Sequence, residues 1–285
     1  MNLENKVITL KPNEIERLKK EYSSFIEDSK NQYVNFIIKK DDSVITVYNS
    51  GKVFFNKPKL MKEITSLFEG DFKEGIGSDE VGTGDVFGPV VVCACFVGLE
   101  DYQFLKSLNV TDSKALTDDK IRKIGPIIVN KLKYSLLSLD NKKFNEITKK
   151  GYNLNKIKAI LHNQAIINCQ KKIGKKTYVV QDQFCEPSLY FRYLENENEV
   201  YRDIDFHTKG ESYHLSVAAA SIIARYAFLL KFDEICEYVG HELPKGAGLS
   251  VDQEIITLAK NHSLDYFNNI AKLNYNNFKK VGVIK

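Results

Sequence analysis

The chain has 285 residues, 43% of them hydrophobic and 27% charged, and its 41 Lys and Arg against 37 Asp and Glu leave a net charge of +4. A composition this close to the globular average excludes collagen-like and wholly disordered classes, and the length predicts two domains. The mild positive charge permits a nucleic-acid partner without demanding one.

The N-terminus, MNLENKVITLKPNE, lacks the basic-then-apolar layout of a signal sequence. Helical spacing runs over residues 12–30, with Ile15, Leu18, Tyr22, Phe25 and Ile26 on one face and Pro12 suited to the first turn. Three short strands follow at 33–39, 43–48 and 52–55, separated by turns at Asp41-Asp42 and Asn49-Ser50-Gly51. In the middle strand Val44, Thr46 and Tyr48 share one face and Ile45 and Val47 the other. Pro58 ends this sheet, and 59–68 can form a further helix. Gly70, Gly75 and Gly77 bracket a charged stretch that reads as a linker, so the domains divide as 1–70 and 71–285.

The second region has an α/β pattern. Residues 90–97, VVVCACFV, are apolar on both faces, as a covered central strand requires. They lie in the longest uncharged apolar run, 86–99, which Gly88-Pro89 interrupts and which falls short of the roughly 18 residues of a membrane span. The five cysteines include no CxxC pair and read as free thiols in a reducing cytoplasm. Further strands are predicted at 133–139 and 177–182. A helix is predicted at 153–173, with Leu154, Ile157, Ile160 and Leu161 on one face, and a second at 213–238 whose first half is apolar nearly all round.

Candidate chemistry concentrates in 77–89, GSDEVGTGDVFGP, where Asp79 and Glu80 precede Gly82, Gly84 and Gly88. Adjacent side chains on a strand point to opposite faces, yet the pair can serve one site if the glycines turn the chain sharply; a solvated acidic turn is the alternative. The glycine spacing is not that of a nucleotide cradle, and it precedes a strand rather than a helix. Asp182 ends an apolar strand, where an acid either faces a ligand crevice or simply begins a turn. Glu211 completes Thr208-Lys209-Gly210-Glu211, a capping-box pattern in which it would bond back to the Thr208 amide. The five histidines show no zinc spacing, and Ser78, Ser113 and Ser221 lack a nucleophile elbow. Asp112-Ser113-Lys114 reads as a helix start at which Lys114 could meet a phosphate.

Taken in order, GSDEVGTGDVFGPVVV, TDSKAL, VVQDQF, HTKGESYHLSVAAASIIARY, PKGAGLSVD and AKLNYNNFKK resemble the motifs of bacterial ribonuclease HIII, a type 2 ribonuclease H. The likeness spans roughly residues 75–280, and YNSGKVFF suits that family's N-terminal substrate-binding domain. It implies a ribonuclease-H-like mixed sheet with flanking helices, preceded by a small α+β domain of TATA-binding-protein-like fold. It implies a metal-dependent endonuclease that cuts the RNA strand of RNA–DNA hybrids to 5′-phosphate and 3′-hydroxyl products. Asp79, Glu80, Asp182 and Glu211 would be the catalytic carboxylates holding two ions of Mg2+ or Mn2+, overriding the capping reading of Glu211. Gly82, Thr83, Gly84, Lys114 and Lys209 would touch the substrate. The hybrid would be the partner, with no membrane and no obligate protein partner, in the cytoplasm.

Three positions depart from the resembled patterns. The family commonly has alanine at Gly210 and histidine at Asn274, and the sister family, ribonuclease HII, has arginine where this chain has Thr83. The alternatives are therefore ribonuclease HII-type cleavage at single embedded ribonucleotides and hybrid binding without catalysis. The four carboxylates speak against the second, since a binder gains nothing from −4 beside a phosphate.

Overall fold

The computed structural model describes residues 7–10, 12–57, 60, 61, 63, 64, 67, 72–110 and 116–284. It divides into two compact units, Met1–Lys73 with Gly98–Asn109, and Glu74–Val97 with Val110–Lys285. A single cut near residue 70 therefore misses one excursion, because Gly98–Asn109 packs with the first unit. Its helix Tyr102–Ser107 buries Leu105, the Lys106 ammonium pairs with Glu14, and the Tyr102 ring lies 5.2 Å from that of Phe72.

The first unit is a five-stranded antiparallel sheet in the order β1-β5-β4-β3-β2, comprising β1 Val7–Thr9, β2 Ile26–Glu27, β3 Val34–Lys40, β4 Ser43–Tyr48 and β5 Lys52–Phe55. Alternation sets its inner face: Ile45 and Val47 are fully buried with Ile38, Val53 and Phe55, while Val44, Thr46 and Tyr48 stay half-exposed. The first helix, Pro12–Glu21, adds Ile15 and Leu18 to this core. It is shorter than the spacing predicts. Ser23–Phe25 form one 3-10 turn, and Ile26 and Glu27 pair with Ile38 and Ile37, so sheet-edge hydrogen bonds override the helical pattern. Of the predicted helix 59–68, half the positions lie outside the described residues; Leu60 and Ile64 are buried in the same core.

In the second unit the sheet order is β10-β9-β6-β7-β8, with β6 Gly75–Val81, β7 Val90–Val97, β8 Lys133–Leu139, β9 Tyr178–Asp182 and β10 Asp205–His207. β6, β7 and β8 run antiparallel, while β9 is parallel to β6 and β10 to β9. Every residue of β7 is buried. Helix Leu154–Ile173 packs on one face of the sheet and helix Leu215–Val239 on the other. Leu215–Val239 has 25 residues and is apolar enough to cross a membrane by length and composition, but here its first half is the protein's interior.

The stretch read as a linker is in part the central strand. Gly75 and Gly77 lie within β6, at positions where neighbours come too close for a side chain. A Cβ on Gly77 would stand 2.1 Å from the Val217 amide nitrogen, so glycine here lets the long helix press its first turn onto the sheet.

Candidate active site

β6 carries Asp79 and Glu80 straight through to Val81, and the glycine turn begins only after both acids. They consequently point to opposite faces, toward different helices. On one side the Ser221 hydroxyl of helix Leu215–Val239 and the Glu80 amide hydrogen-bond the Asp79 carboxylate, the amide at 2.7 Å. On the other, helix Leu154–Ile173 presents Lys158, which pairs with Glu80 Oε1, and His162, whose Nε2 lies 2.7 Å from Glu80 Oε2.

Asp182 ends β9. Because Ser78 is in register with Gln181 on the neighbouring parallel strand, Asp182 comes level with Asp79. Glu211 follows β10 in a short helix, Gly210–Tyr213, whose first amide donates to Asp182 Oδ1 at 2.8 Å. The capping box does not form. The residue preceding this helix is Lys209, at φ 59°, and no side chain caps it. The turn is thus made by the left-handed Lys209, which leaves the Gly210 amide free to orient Asp182.

The electrostatics show that the four acids share one field. Burial pushes the Asp79 carboxyl well above the usual carboxylate range, and Glu80 and Asp182 push it further. Burial also raises Asp182, with Glu80 and Glu211 adding to the shift against the Gly210 hydrogen bond. Burial works the same way on Glu80, but His162 and Lys158 outweigh it and hold that carboxyl below its ordinary value. An all-oxygen donor set with surplus negative charge fits a hard divalent cation. Among the described residues no three His, Cys, Asp or Glu side chains form a ready-made cage, and both Glu80 oxygens are directed at Lys158 and His162.

The predicted substrate residues separate. Gly82 is buried at φ 90°, where a Cβ would stand 2.1 Å from the Pro89 carbonyl oxygen; its glycine is required by the turn itself. Gly84 is exposed, with nothing within 4 Å of where a Cβ would stand. Thr83 is half-exposed, and its carbonyl accepts from the Tyr275 hydroxyl at 2.5 Å, so the segment containing Asn274 still supplies an aromatic ring to this loop. Lys209 is exposed beside the Glu211 helix, and Lys114 lies outside the described residues. A cleft of about 400 Å³ opens here, lined by Glu80, Thr83, Asp85, Asp118, Ser221 and Arg225.

Sequence reasoning missed Lys158, His162, Arg225 and Lys272 as parts of this region, and the orienting roles of Gly210 and Ser221. Arg225 makes two hydrogen bonds to Asp118, at 2.9 and 3.2 Å, and Lys245 adds a third at 3.0 Å, so these cations hold the Asp118 carboxyl low despite its burial. Lys272 is fully buried and clamps the glycine loop, its Nζ donating to the carbonyls of Asp85 at 2.8 Å and Gly88 at 2.5 Å. Burial pushes its amine down to about 7, against the opposing pull of the Asp85 charge. Between about pH 7 and the ordinary lysine value near 10.4 the unfolded chain holds a proton that the folded chain lacks, so stability rises with pH across that window. The margin of the parent over Lys272→Met in urea unfolding should therefore grow by about 2–3 kcal/mol from pH 7 to pH 9; a margin independent of pH would show that Lys272 stays charged when buried.

Comparison with known proteins gives a consistent picture. The Ribonuclease HII family profile matches residues 76–278, and a Domain of unknown function (DUF3378) matches residues 5–63. Ribonuclease HIII of Phytoplasma mali is 44% identical over 272 residues, covering 94% of both chains. Ribonuclease HIII of Geobacillus sp. is 38% identical over 296 residues, covering 98% of both. The crystal structure of Bst-RNase HIII in complex with Mn2+ superposes with a TM-score of 0.73 at 34% identity, covering 97% of both chains.

Proposed function

Because the chain belongs to the ribonuclease HIII family of type 2 ribonucleases H, and is on that footing an endoribonuclease, we propose that it cuts the RNA strand of RNA–DNA hybrids by metal-assisted hydrolysis. The observation that carries this reading is the grouping of Asp79, Glu80, Asp182 and Glu211 at adjoining strand ends, with Asp79 raised by burial, Glu80 and Asp182, and Asp182 raised by burial, Glu80 and Glu211. Such a group is costly unless a cation neutralises it. Mg2+ or Mn2+, two ions bound by these four residues, would supply Lewis acidity to a water and to the leaving 3′ oxygen. The Mn2+ complex of Bst-RNase HIII supports the choice of metal.

The remaining roles fall to the chain itself. The Gly210 amide and the Ser221 hydroxyl fix the orientations of Asp182 and Asp79, and His162 fixes Glu80. Lys272 and Tyr275 hold the loop at Thr83 and Gly84, where an open backbone can approach a ribose 2′-hydroxyl, the group that distinguishes RNA from DNA. Five free cysteines suit a reducing cytoplasm, where we place the enzyme. The products test the chemistry: RNA fragments from a digested hybrid should prime a DNA polymerase directly, since the cut leaves a 3′-hydroxyl. Fragments ending in a 2′,3′-cyclic phosphate would contradict it.

The first unit we read as a hybrid-binding module. On its hairpins Lys39, Lys40 and Lys57 pair with Glu27, Glu63 and Asp42, and Lys52 is exposed. A chain beginning at Glu74 should fold on its own sheet, with Gly98–Asn109 losing its cover, and should bind hybrid about tenfold more weakly at low salt. The difference should shrink as salt screens phosphate contacts. Equal affinities at low salt in a filter-binding or anisotropy titration would reject the module.

A further inference from the structure

Lys158 and His162 lie one helical turn apart on Leu154–Ile173 and meet the same carboxylate, but they are held differently. His162 is fully buried and pinned at both nitrogens: Nε2 stands 2.7 Å from Glu80 Oε2, and Nδ1 stands 2.7 Å from Ser78 Oγ, which itself lies 3.2 Å from the Cys93 carbonyl. The ring therefore has one place. Lys158 is 7% exposed and reaches Glu80 Oε1 on a flexible four-carbon stem. Its ammonium at the same time sits 4.0 Å from the centroid of the Phe184 ring, a contact that survives loss of the carboxylate.

We infer that Lys158 is a built-in counter-cation of the carboxylate site: it occupies Glu80 Oε1 in the metal-free protein, yields that oxygen to an incoming divalent ion while the Phe184 ring keeps hold of its ammonium, and so sets the affinity of the site for metal. This rests on reading the four carboxylates as a divalent-metal site. The surplus charge there needs a cation in either state, and Lys158 is the ammonium that touches Glu80. A divalent ion at Glu80 must take the same lone pairs and is repelled by the same ammonium. The two contacts are thus thermodynamically linked, each weakening the other by the same factor. Lys158 is a positioning residue, since it acts through Glu80.

The test is direct Mn2+ binding to the full chain, read from the electron paramagnetic resonance of free Mn2+, in the parent, Lys158→Met and Lys158→Arg. Lys158→Met, which keeps the apolar stem and removes the charge, should bind Mn2+ about tenfold more tightly, within the roughly 5–150-fold range of such couplings. Lys158→Arg, which keeps the charge, should bind no more tightly than the parent. A Lys158→Met affinity equal to or below the parent's would overturn the inference. Should that variant fail to fold, crystals of the parent with and without Mn2+ decide: Lys158 Nζ should leave Glu80 Oε1 when Mn2+ is bound, and continued contact there overturns the inference. A parent that binds no Mn2+, or whose binding is untouched by Asp182→Asn, would instead overturn the metal-site reading itself.

Discussion

Asp79→Asn, Glu80→Gln, Asp182→Asn and Glu211→Gln should each lower the rate of hybrid cleavage by about 10³-fold, a loss of about 4 kcal/mol in transition-state stabilisation. Each amide keeps the shape of the acid and removes the charge a metal needs. The four should differ in stability, which separates loss of chemistry from loss of fold. In EDTA near pH 7, Asp79→Asn should melt at or above the parent, because burial, Glu80 and Asp182 all disfavour the Asp79 carboxylate; a gain of about 1 kcal/mol would appear as about 2–4 °C. Glu80→Gln should melt lower, because it strands the buried Lys158 ammonium and removes the charge facing His162. Cleavage by Asp79→Asn within a few-fold of the parent would remove that residue from the proposed chemistry. A lower melting temperature for Asp79→Asn than for Glu80→Gln would contradict the electrostatic description of the site.

Cleavage within runs of ribonucleotides should exceed cleavage at a single ribonucleotide embedded in duplex DNA by at least about tenfold, a difference of about 1.4 kcal/mol. The loop after β6 sets this preference. Gly84 is open and Thr83 is half-exposed, so backbone can approach successive 2′-hydroxyls of an A-like hybrid. Thr83 cannot supply the guanidinium fork of the arginine found there in the sister family, and its carbonyl is already engaged by Tyr275. A lone ribose needs junction-specific readout, and this loop offers one short hydroxyl for it. Initial rates on a long hybrid and on a duplex with one embedded ribonucleotide, at equal Mg2+, make the comparison. A single-ribonucleotide rate equal to or above the hybrid rate would move the specificity toward that of ribonuclease HII.

Where folding is dictated by local periodicity, the sequence is enough to read it. The strand Val90–Val97 is apolar on both faces because both faces are covered, and the alternation of Ser43–Tyr48 names its inner residues directly. The tail of the first helix was not legible, because Ile26 and Glu27 are claimed by a pairing with β3 that helical spacing cannot register. Gly75 and Gly77 look like linker punctuation until Val217 and Tyr178 are brought against them, and close approach is a property of the folded chain alone. In the site, the acids could be found by motif, but each had a bland local alternative, and the Glu211 capping box is absent where Lys209 takes a left-handed turn and the helix begins one residue late. Lys158 and His162 did leave a signal: two polar side chains at i and i+4 in a helix otherwise buried through Ile157, Ala159, Ala165 and Ile166. Their partner is Glu80, which local pattern cannot name because it lies on another element and far back in the chain.

The central claim is that the four carboxylates make this chain a metal-dependent nuclease for the RNA strand of a hybrid. It is tested most directly by incubating the full chain with end-labelled RNA paired to DNA, and with the same RNA single-stranded or paired to RNA, in Mn2+, in Mg2+ and in EDTA, beside Asp79→Asn. The expected result is internal cutting of the RNA in the hybrid alone, with either metal, abolished by EDTA and by the substitution. Equal cutting in EDTA, or cutting of the single-stranded RNA as fast as the hybrid, would contradict it.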